Sequence, residues 1–406
     1  MSRIAPGVYI EEVSTGSKSI GGVSTSIAAF IGVAPLAGAP VNKAIAINNP
    51  SEFSRRFVGD STANTYLCTA VYGFFNNGGS RCYVVNIGRD GSIVGDQRKR
   101  TGVHCLEEID EVAIVVAPGY TDALSYDAVI SHCESMGDRV AILDAPGEVN
   151  DTDRLKIVST GEVEDKDNGD ATSGLRPRNS DGGFASFYFP WIRTPDPFNP
   201  KRLINVPPSG HLAGVYARTD SERGVHKAPA NEDIRGAIGL TYSVTNAEQA
   251  ELNAAGVNCI RFFSDAGIRI WGARTLAEEA SEWRYISVRR LFNMIEESIV
   301  KGTRWVVFEP NDESTRNSVV RDVRAFLTLL WRDGALMGAT PEQAFFVKCD
   351  AETNPPEVVD AGRLVTEIGI APVKPAEFIV FRIGQWEGGA EVEDSGENEA
   401  ADGEGE

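Results

Sequence analysis

Residues 257–312 constrain the fold more than any other stretch of the chain. Asn258 to Phe263 and Ile268 to Trp271 are short runs rich in β-branched and aromatic residues, and Ser264-Asp265-Ala266-Gly267 between them predicts a hairpin. From Leu276 the period changes. Trp283, Ile286, Leu291, Ile295 and Ile299 recur every three to five residues or so with Glu and Arg between them, which predicts a long amphipathic helix with one face buried. Gly302 ends that helix, and 304–308 reads as another strand. Nothing in this block has catalytic spacing; it reads as a packing unit.

The remainder alternates between strand and helix patterns. Residues 25–35 form a buried-type strand ended by Pro and Gly; Asn49-Pro50-Ser51 opens a helix through Phe57 with Ser51 as its cap; 64–76 carries Leu67, Val71, Phe74 and Phe75 at helical spacing. A strand is expected at 82–87. Strand 112–117, helix 122–136 and strand 139–143 make a β-α-β unit with the usual right-handed crossover. Residues 148–170 hold eight acidic and three basic residues, and 174–183 is rich in Arg, Asn, Ser and Gly, so the join reads as an exposed loop region. Strand 186–192 follows, and 196–231, studded with Pro and Gly, reads as mostly irregular. Helix 318–333 buries Val319, Val323, Phe326 and Leu330 on one stripe, which leaves Arg321, Arg324 and Arg332 on the remaining face. Strands at 345–348, 365–370 and 375–386 complete a mixed α/β (α+β) chain.

At 406 residues the chain is long enough for two or three domains. Nine of the acidic residues behind its net charge of −19 fall in the last twenty positions, which contain no base. Residues 257–350 are balanced, with 13 Lys/Arg and 13 Asp/Glu. Phosphate would repel such a chain, so nucleic acid and anionic membranes are excluded as natural partners. There is no charged-then-apolar signal pattern, and no apolar run approaches the roughly 20 residues of a membrane span. Six scattered cysteines without a CxxC pair read as buried, reduced thiols. Four histidines (His104, His132, His211, His226) show no metal-binding or nucleophile-elbow spacing and read as hydrogen-bonded structural side chains. Ala117-Pro118-Gly119 lacks the glycine series of a nucleotide loop. Asp144 stands alone and reads as a turn or cap residue. No catalytic, cofactor-binding or metal-ligating set emerges.

Several blocks, taken in order, carry a family likeness: PGVYIEEV (6–13), TSIAAFIGVAPLAGAP (25–40), FFNNGGSRCYVVNIG (74–88), VPPSGHLAGVYARTD with GVHKAPAN (206–231), then GIRIWGARTL, YISVRRLFNMIEESI, WVVFEPND, AFFVKCD (344–350) and APVKPAEFIVFRIGQ (371–385). Together they resemble contractile tail sheath proteins of phages, R-type bacteriocins and extracellular contractile injection systems. The resemblance implies a two-domain subunit with strand arms at both ends: an N-terminal arm (1–25), an outer, more variable α/β domain (26–245), an inner sheath domain (246–370), a C-terminal arm (371–386) and an acidic tail (387–406). It implies stacked hexameric rings of the chain around an inner tube protein, with baseplate and terminal cap proteins as further partners and no cofactor. Such particles are assembled in the bacterial cytoplasm.

A lone N-terminal strand cannot satisfy its own backbone groups, and twenty extended residues reach up to roughly 65 Å. The resemblance implies that Val8, Tyr9 and Ile10, with Phe378, Ile379, Val380 and Phe381, are inter-subunit strands; the residues alone leave open that the N-terminal strand adds to its own domain's sheet. The resemblance also implies Arg321 and Arg324 as the tube contact, a basic face on an otherwise acidic chain; the alternative is a solvated face paired with Asp322 and Asp333. Two alternatives stand beside this reading: an α/β enzyme using the 112–143 unit, and a non-contracting tube or cap protein of the same assembly.

Overall fold

The computed structural model describes residues 19–61, 63–159 and 174–378. At its centre lies an eight-stranded sheet. Its members are β1 (Ala28–Gly32), β2 (Ala44–Ile47), β3 (Cys82–Asn86), β4 (Ile114–Val116), β5 (Val140–Asp144), β6 (Ala185–Phe189), β10 (Val257–Phe263) and β11 (Gly267–Trp271), in the order β11-β10-β6-β5-β4-β1-β3-β2. The inner pairs are parallel, while β2 and β11 run antiparallel at the two edges. The inner strands are continuous apolar runs because a parallel sheet is covered on both faces.

Alternation along each strand divides the core in two. Ala28, Phe30, Val84, Ile114, Val116, Ile142 and Tyr188 point to one face. That face is covered by α1 (Pro50–Phe53, which runs on as a π-helical turn to Val58), α2 (Tyr66–Asn76) and α4 (Ser209–Arg223). Ala29, Ile31, Val115, Leu143, Phe187 and Cys259 point to the other face, against α3 (Ala123–Met136) and α5 (Asn246–Ala254). A smaller three-stranded sheet has β7 (Ile192–Asp196) between β8 (Asn199–Val206) and β9 (Gly239–Leu240).

A third core forms between α6 (Ile286–Gly302) and α7 (Glu313–Arg332). Leu291, Ile295, Val323 and Leu327 are its centre; burying each such side chain contributes roughly 1.5–3 kcal/mol. Beside it lie α8 (Pro341–Ala344), β12 (Phe345–Lys348), α9 (Pro356–Asp360) and β13 (Glu367–Ile370), with β12 and β13 pairing as a separate sheet. Residues through Pro375 form one compact unit, and 376–378 belong to a second. Residues on both sides of the expected division at 245/246 share the large sheet, since β10 pairs with β6.

The hairpin, the β-α-β unit and the two long C-terminal helices follow the sequence pattern; five expectations do not hold. Residues 304–308 are not a strand. Arg304–Val306 is one 3-10 turn, and Phe308 has a φ of +71° and is fully exposed. The helix expected from Leu276 begins only at Ile286, because Arg274 bridges to Tyr285 and the intervening residues turn. The cap of α1 is Asn49, whose side chain accepts from the Glu52 amide, rather than Ser51. The 196–231 stretch is not irregular, since it holds β8 and the 15-residue α4. That helix is buried through small residues: a Cβ on Gly210 would lie 2.3 Å from the Ala70 Cα, and one on Gly214 would lie 2.4 Å from the Phe74 carbonyl oxygen. Its glycines permit close helix packing where a hydrophobic stripe would otherwise mark a helix. The 174–183 segment is also less exposed than its composition indicates, for Arg176 is buried and donates to the Ala255 carbonyl at 2.7 Å.

Candidate assembly surfaces

Three places were candidates for function: the crevice at the strand ends, the exposed face of α7, and the strand arms with whatever receives them.

The carboxyl ends of β1 and β4, where the strand order reverses, are the usual ligand position in an open α/β sheet. A depression of about 470 Å³ there is lined by Gly32, Val33, Asn64, Thr65, Tyr66, Leu67, Pro118, Gly119 and Tyr120. That lining brings together no nucleophile and base. Asp144, at the end of β5, is turned to a structural task. It accepts from the Ser209 amide at 2.8 Å, from Ser209 Oγ at 2.6 Å and from the Gly119 amide at 3.1 Å. It thus caps the amino end of α4, as a cap reading requires. Burial pushes its carboxyl up to about 6, against the opposing pull of those hydrogen bonds.

Two of the histidines are engaged as structural side chains. His104 Nδ1 lies 2.8 Å from Glu107, and His132 Nε2 accepts from Arg139 at 3.5 Å. His211 departs from the expectation of a hydrogen-bonded side chain: it is buried against Gly73, and its Nδ1 has no partner. Burial holds both His132 and His211 down to about 4. The six cysteines are free and buried. Among the described residues no group of three or more His, Cys, Asp or Glu side chains is placed to hold a metal, and no helix is long and apolar enough to cross a membrane.

On α7, Arg321, Arg324 and Arg332 are all exposed, as their spacing of three and eight residues predicts. They are not equivalent. Arg321 Nε donates to the buried Asp322 carboxylate at 3.0 Å, while Arg324 and Arg332 make no ion pair among the described residues. Leu329, 55% exposed, shares this side of the helix.

Of the arm residues, Val8, Tyr9, Ile10, Ile379, Val380 and Phe381 lie outside the described residues. Phe378 is described, without regular structure and 74% exposed. Sequence reasoning found strands at 345–348 and 365–370 but not that they pair with each other. Strands β12 and β13 pair antiparallel in the register Phe345↔Ile370, Phe346↔Gly369, Val347↔Ile368 and Lys348↔Glu367. Phe345 points into the third core, and the exposed Phe346 ring covers Gly369. Among the described residues each strand has only the other as ladder partner, so both outer edges carry unpaired backbone groups. A two-stranded sheet is marginal alone and gains from added strands. The pairing left no local signal, because residues 349–366, with α9 among them, separate the two four-residue runs.

These features define a protein of packed cores and open strand edges. Known proteins make the class specific. The family model "Phage tail sheath protein central domain" matches residues 104–276, and "Phage tail sheath C-terminal domain" matches 278–385. Among solved structures, the sheath complex of PVC, an extracellular contractile injection system, in its contracted state is 31% identical, with a TM-score of 0.76 over 95% of this chain and 98% of that one. The contracted helical sheath of the anti-feeding prophage is 30% identical, with a TM-score of 0.72 over 95% of this chain and 100% of that one. The tail sheath protein of Vibrio phage KVP40 is 32% identical over 179 residues, 43% of this chain; the match spans only 26% of that longer relative.

The chain belongs to the contractile tail sheath protein family. The family is structural, and the mixed α/β architecture is that of its solved members.

Proposed function

We infer that the chain polymerises as stacked hexameric rings around an inner tube, attached to a baseplate and closed by a terminal cap, and contracts to drive the tube through a target envelope. The observation that supports this reading is the β12–β13 pair, a sheet with no further ladder partner among the described residues, on a chain with strand-forming sequences at 6–13 and 375–386. In this reading Val8, Tyr9 and Ile10 of one copy, and Phe378, Ile379, Val380 and Phe381 of another, extend the β12–β13 sheet of a third. Main-chain hydrogen bonds supply the strength of such added strands, and alternate side chains fix their register. Contacts made this way survive a large rotation of the globular part, because the arms bend while their hydrogen bonds persist.

The division into an outer portion (26–245) and an inner portion (246–370) belongs to the same proposal, as does an acidic tail at 387–406. It places Arg321 and Arg324 toward the tube, where a basic face would meet acidic side chains. The free energy of contraction comes from a second packing arrangement that buries more surface between copies. No nucleotide is consumed and the subunit catalyses no reaction, which accords with the engagement of Asp144 as a helix cap. Assembly takes place in the bacterial cytoplasm before the particle acts outside it.

Negative-stain electron microscopy of the purified, concentrated protein tests the reading. Long hollow cylinders with a helical surface are the expected result. Small discrete particles that persist when the tube protein is supplied would overturn it.

A further inference from the structure

Residues 19–27 have no regular secondary structure, yet they make specific contacts with α6. They run antiparallel along one stripe of α6 made of Gly302, Ser298, Met294 and Arg290, four residues apart and so on a single face of the helix. Ile20 is buried in the third core, and a Cβ on Gly302 would lie 2.6 Å from its side chain. A Cβ on Gly22 would lie 4.0 Å from the Met294 sulfur. The Val23 amide donates to Ser298 Oγ at 3.0 Å, which supplies the partner that an unpaired strand would lack.

At the far end of the stripe the contacts become ionic. Arg290 donates to both carboxylate oxygens of Asp220, at 2.9 and 2.5 Å, and to the Thr25 carbonyl at 3.0 Å. Thr25 Oγ1 donates to Asp220 at 2.5 Å, and the guanidinium stacks 4.8 Å from the Tyr216 ring centroid. Both charged side chains are almost wholly buried. A bidentate pair with every neighbour engaged is geometrically unique, and removing one partner leaves a buried charge uncompensated. Three residues beyond this knot the chain enters β1, an interior strand of the large sheet.

We propose that this groove is the force anchor of the N-terminal arm: Gly302, Ser298 and Arg290 of α6, with Asp220 of α4, grip residues 20–25 so that tension on the arm reaches the core without peeling β1 out of its sheet. The inference rests on the arm reading given above. Small side chains at Gly302 and Ser298 open the groove, and Arg290 closes it. A pull along the helix then loads the packing of Ile20, the Val23 hydrogen bond and the Thr25 knot together. Without them β1, a five-residue strand, would take the load alone.

The test uses the full chain as wild type, Ser298→Ala and Gly302→Val, with Ile20→Ala added to Gly302→Val as a rescue. Amide exchange over residues 20–25 is followed in the unassembled protein, and polymer length is measured after a fixed hydrodynamic shear. Ser298→Ala should unfold at a temperature close to that of wild type and Gly302→Val at a temperature a few degrees lower, while in both the Val23 amide exchanges about tenfold faster or more. Their polymers should break into short pieces under shear that leaves wild-type polymers whole, and the rescue variant should recover length. Unchanged exchange in Gly302→Val overturns the anchor, as do fast-exchanging variants whose polymers resist shear like wild type; the sheath reading survives either result. Wild-type protein that forms no polymer even with the tube protein overturns both.

Discussion

Buried ionisable side chains give this protein opposing responses to acid. The Asp144 carboxyl is raised from 3.8 to about 6 by burial. Its folded value exceeds its unfolded value, so its contribution to stability is complete below about pH 3.8 and is lost as pH rises through 6. His132 and His211 are lowered from 6.5 to about 4, again by burial first, with the Arg139 charge adding to the effect on His132. Their contributions are complete above pH 6.5 and are lost as pH falls through 4. Each shift corresponds to about 3 kcal/mol at 1.36 kcal/mol per unit. Two histidines outweigh one aspartate, so the fold weakens on acidification. Asp144→Asn keeps an acceptor for Ser209 and removes the titration. Urea unfolding at pH 7 and pH 4 should show wild type gaining about 2 kcal/mol on the variant at the lower pH. A difference that does not change with pH would mean that Asp144 is not desolvated.

At the scale of elements, the packing of α4 on α2 is the feature that composition concealed. SGHLAGVYARTD has little of the hydrophobic stripe that marks a surface helix, yet residues 209–219 are all buried. The reason is that two helices approach closely only where one presents glycine to the other's backbone. Gly214→Ala sets a Cβ against the Phe74 carbonyl oxygen and the Asn77 side chain, and it should cost about 1–3 kcal/mol by denaturant unfolding despite the better helix propensity of alanine. Gly21→Ala, which meets nothing within 4 Å, should stay within about 0.5 kcal/mol of wild type. Equal effects at the two sites would show that the helix approach is looser than described. The 304–308 segment carries the opposite lesson. Trp305, Val306, Val307 and Phe308 have strand composition, but β propensity reflects a fit to a pleated, half-buried surface, and here no neighbouring strand provides one.

For the whole molecule, the globular part and the arms should be separable. Deleting residues 1–18 removes the proposed tether and leaves the α6 groove intact. The protein should keep its circular dichroism and melting temperature and fail to form long cylinders; normal polymerisation would place the inter-subunit link elsewhere. Reversing charge at Arg321 and Arg324 together should leave cylinders intact and weaken co-assembly with the tube protein. The loss should shrink as salt is raised, because exposed charges are screened beyond about 10 Å at 0.1 M ionic strength. Co-assembly unchanged by the reversal would point to another face. Arg324 is the stronger of the two candidates, since Arg321 is already engaged by Asp322.

The sequence by itself determined the alternation of strand and helix, the amphipathic faces of α6 and α7, the free buried cysteines and the family, because each is written in local periodicity or in blocks of adjacent residues. The chain order of the strands, by contrast, does not reveal that β10 joins the sheet beside β6, some 70 residues earlier in the chain. Nor does it reveal that Asp144 caps a helix 65 residues away, that Arg290 holds Asp220 and Thr25 together, or that β12 and β13 form a pair with open edges. Those facts depend on which surfaces meet once the chain is closed on itself, and they rest on single glycines, single charges and single hydrogen bonds whose partners are remote in the chain. Periodicity records which face of an element is buried; only the tertiary structure decides against what.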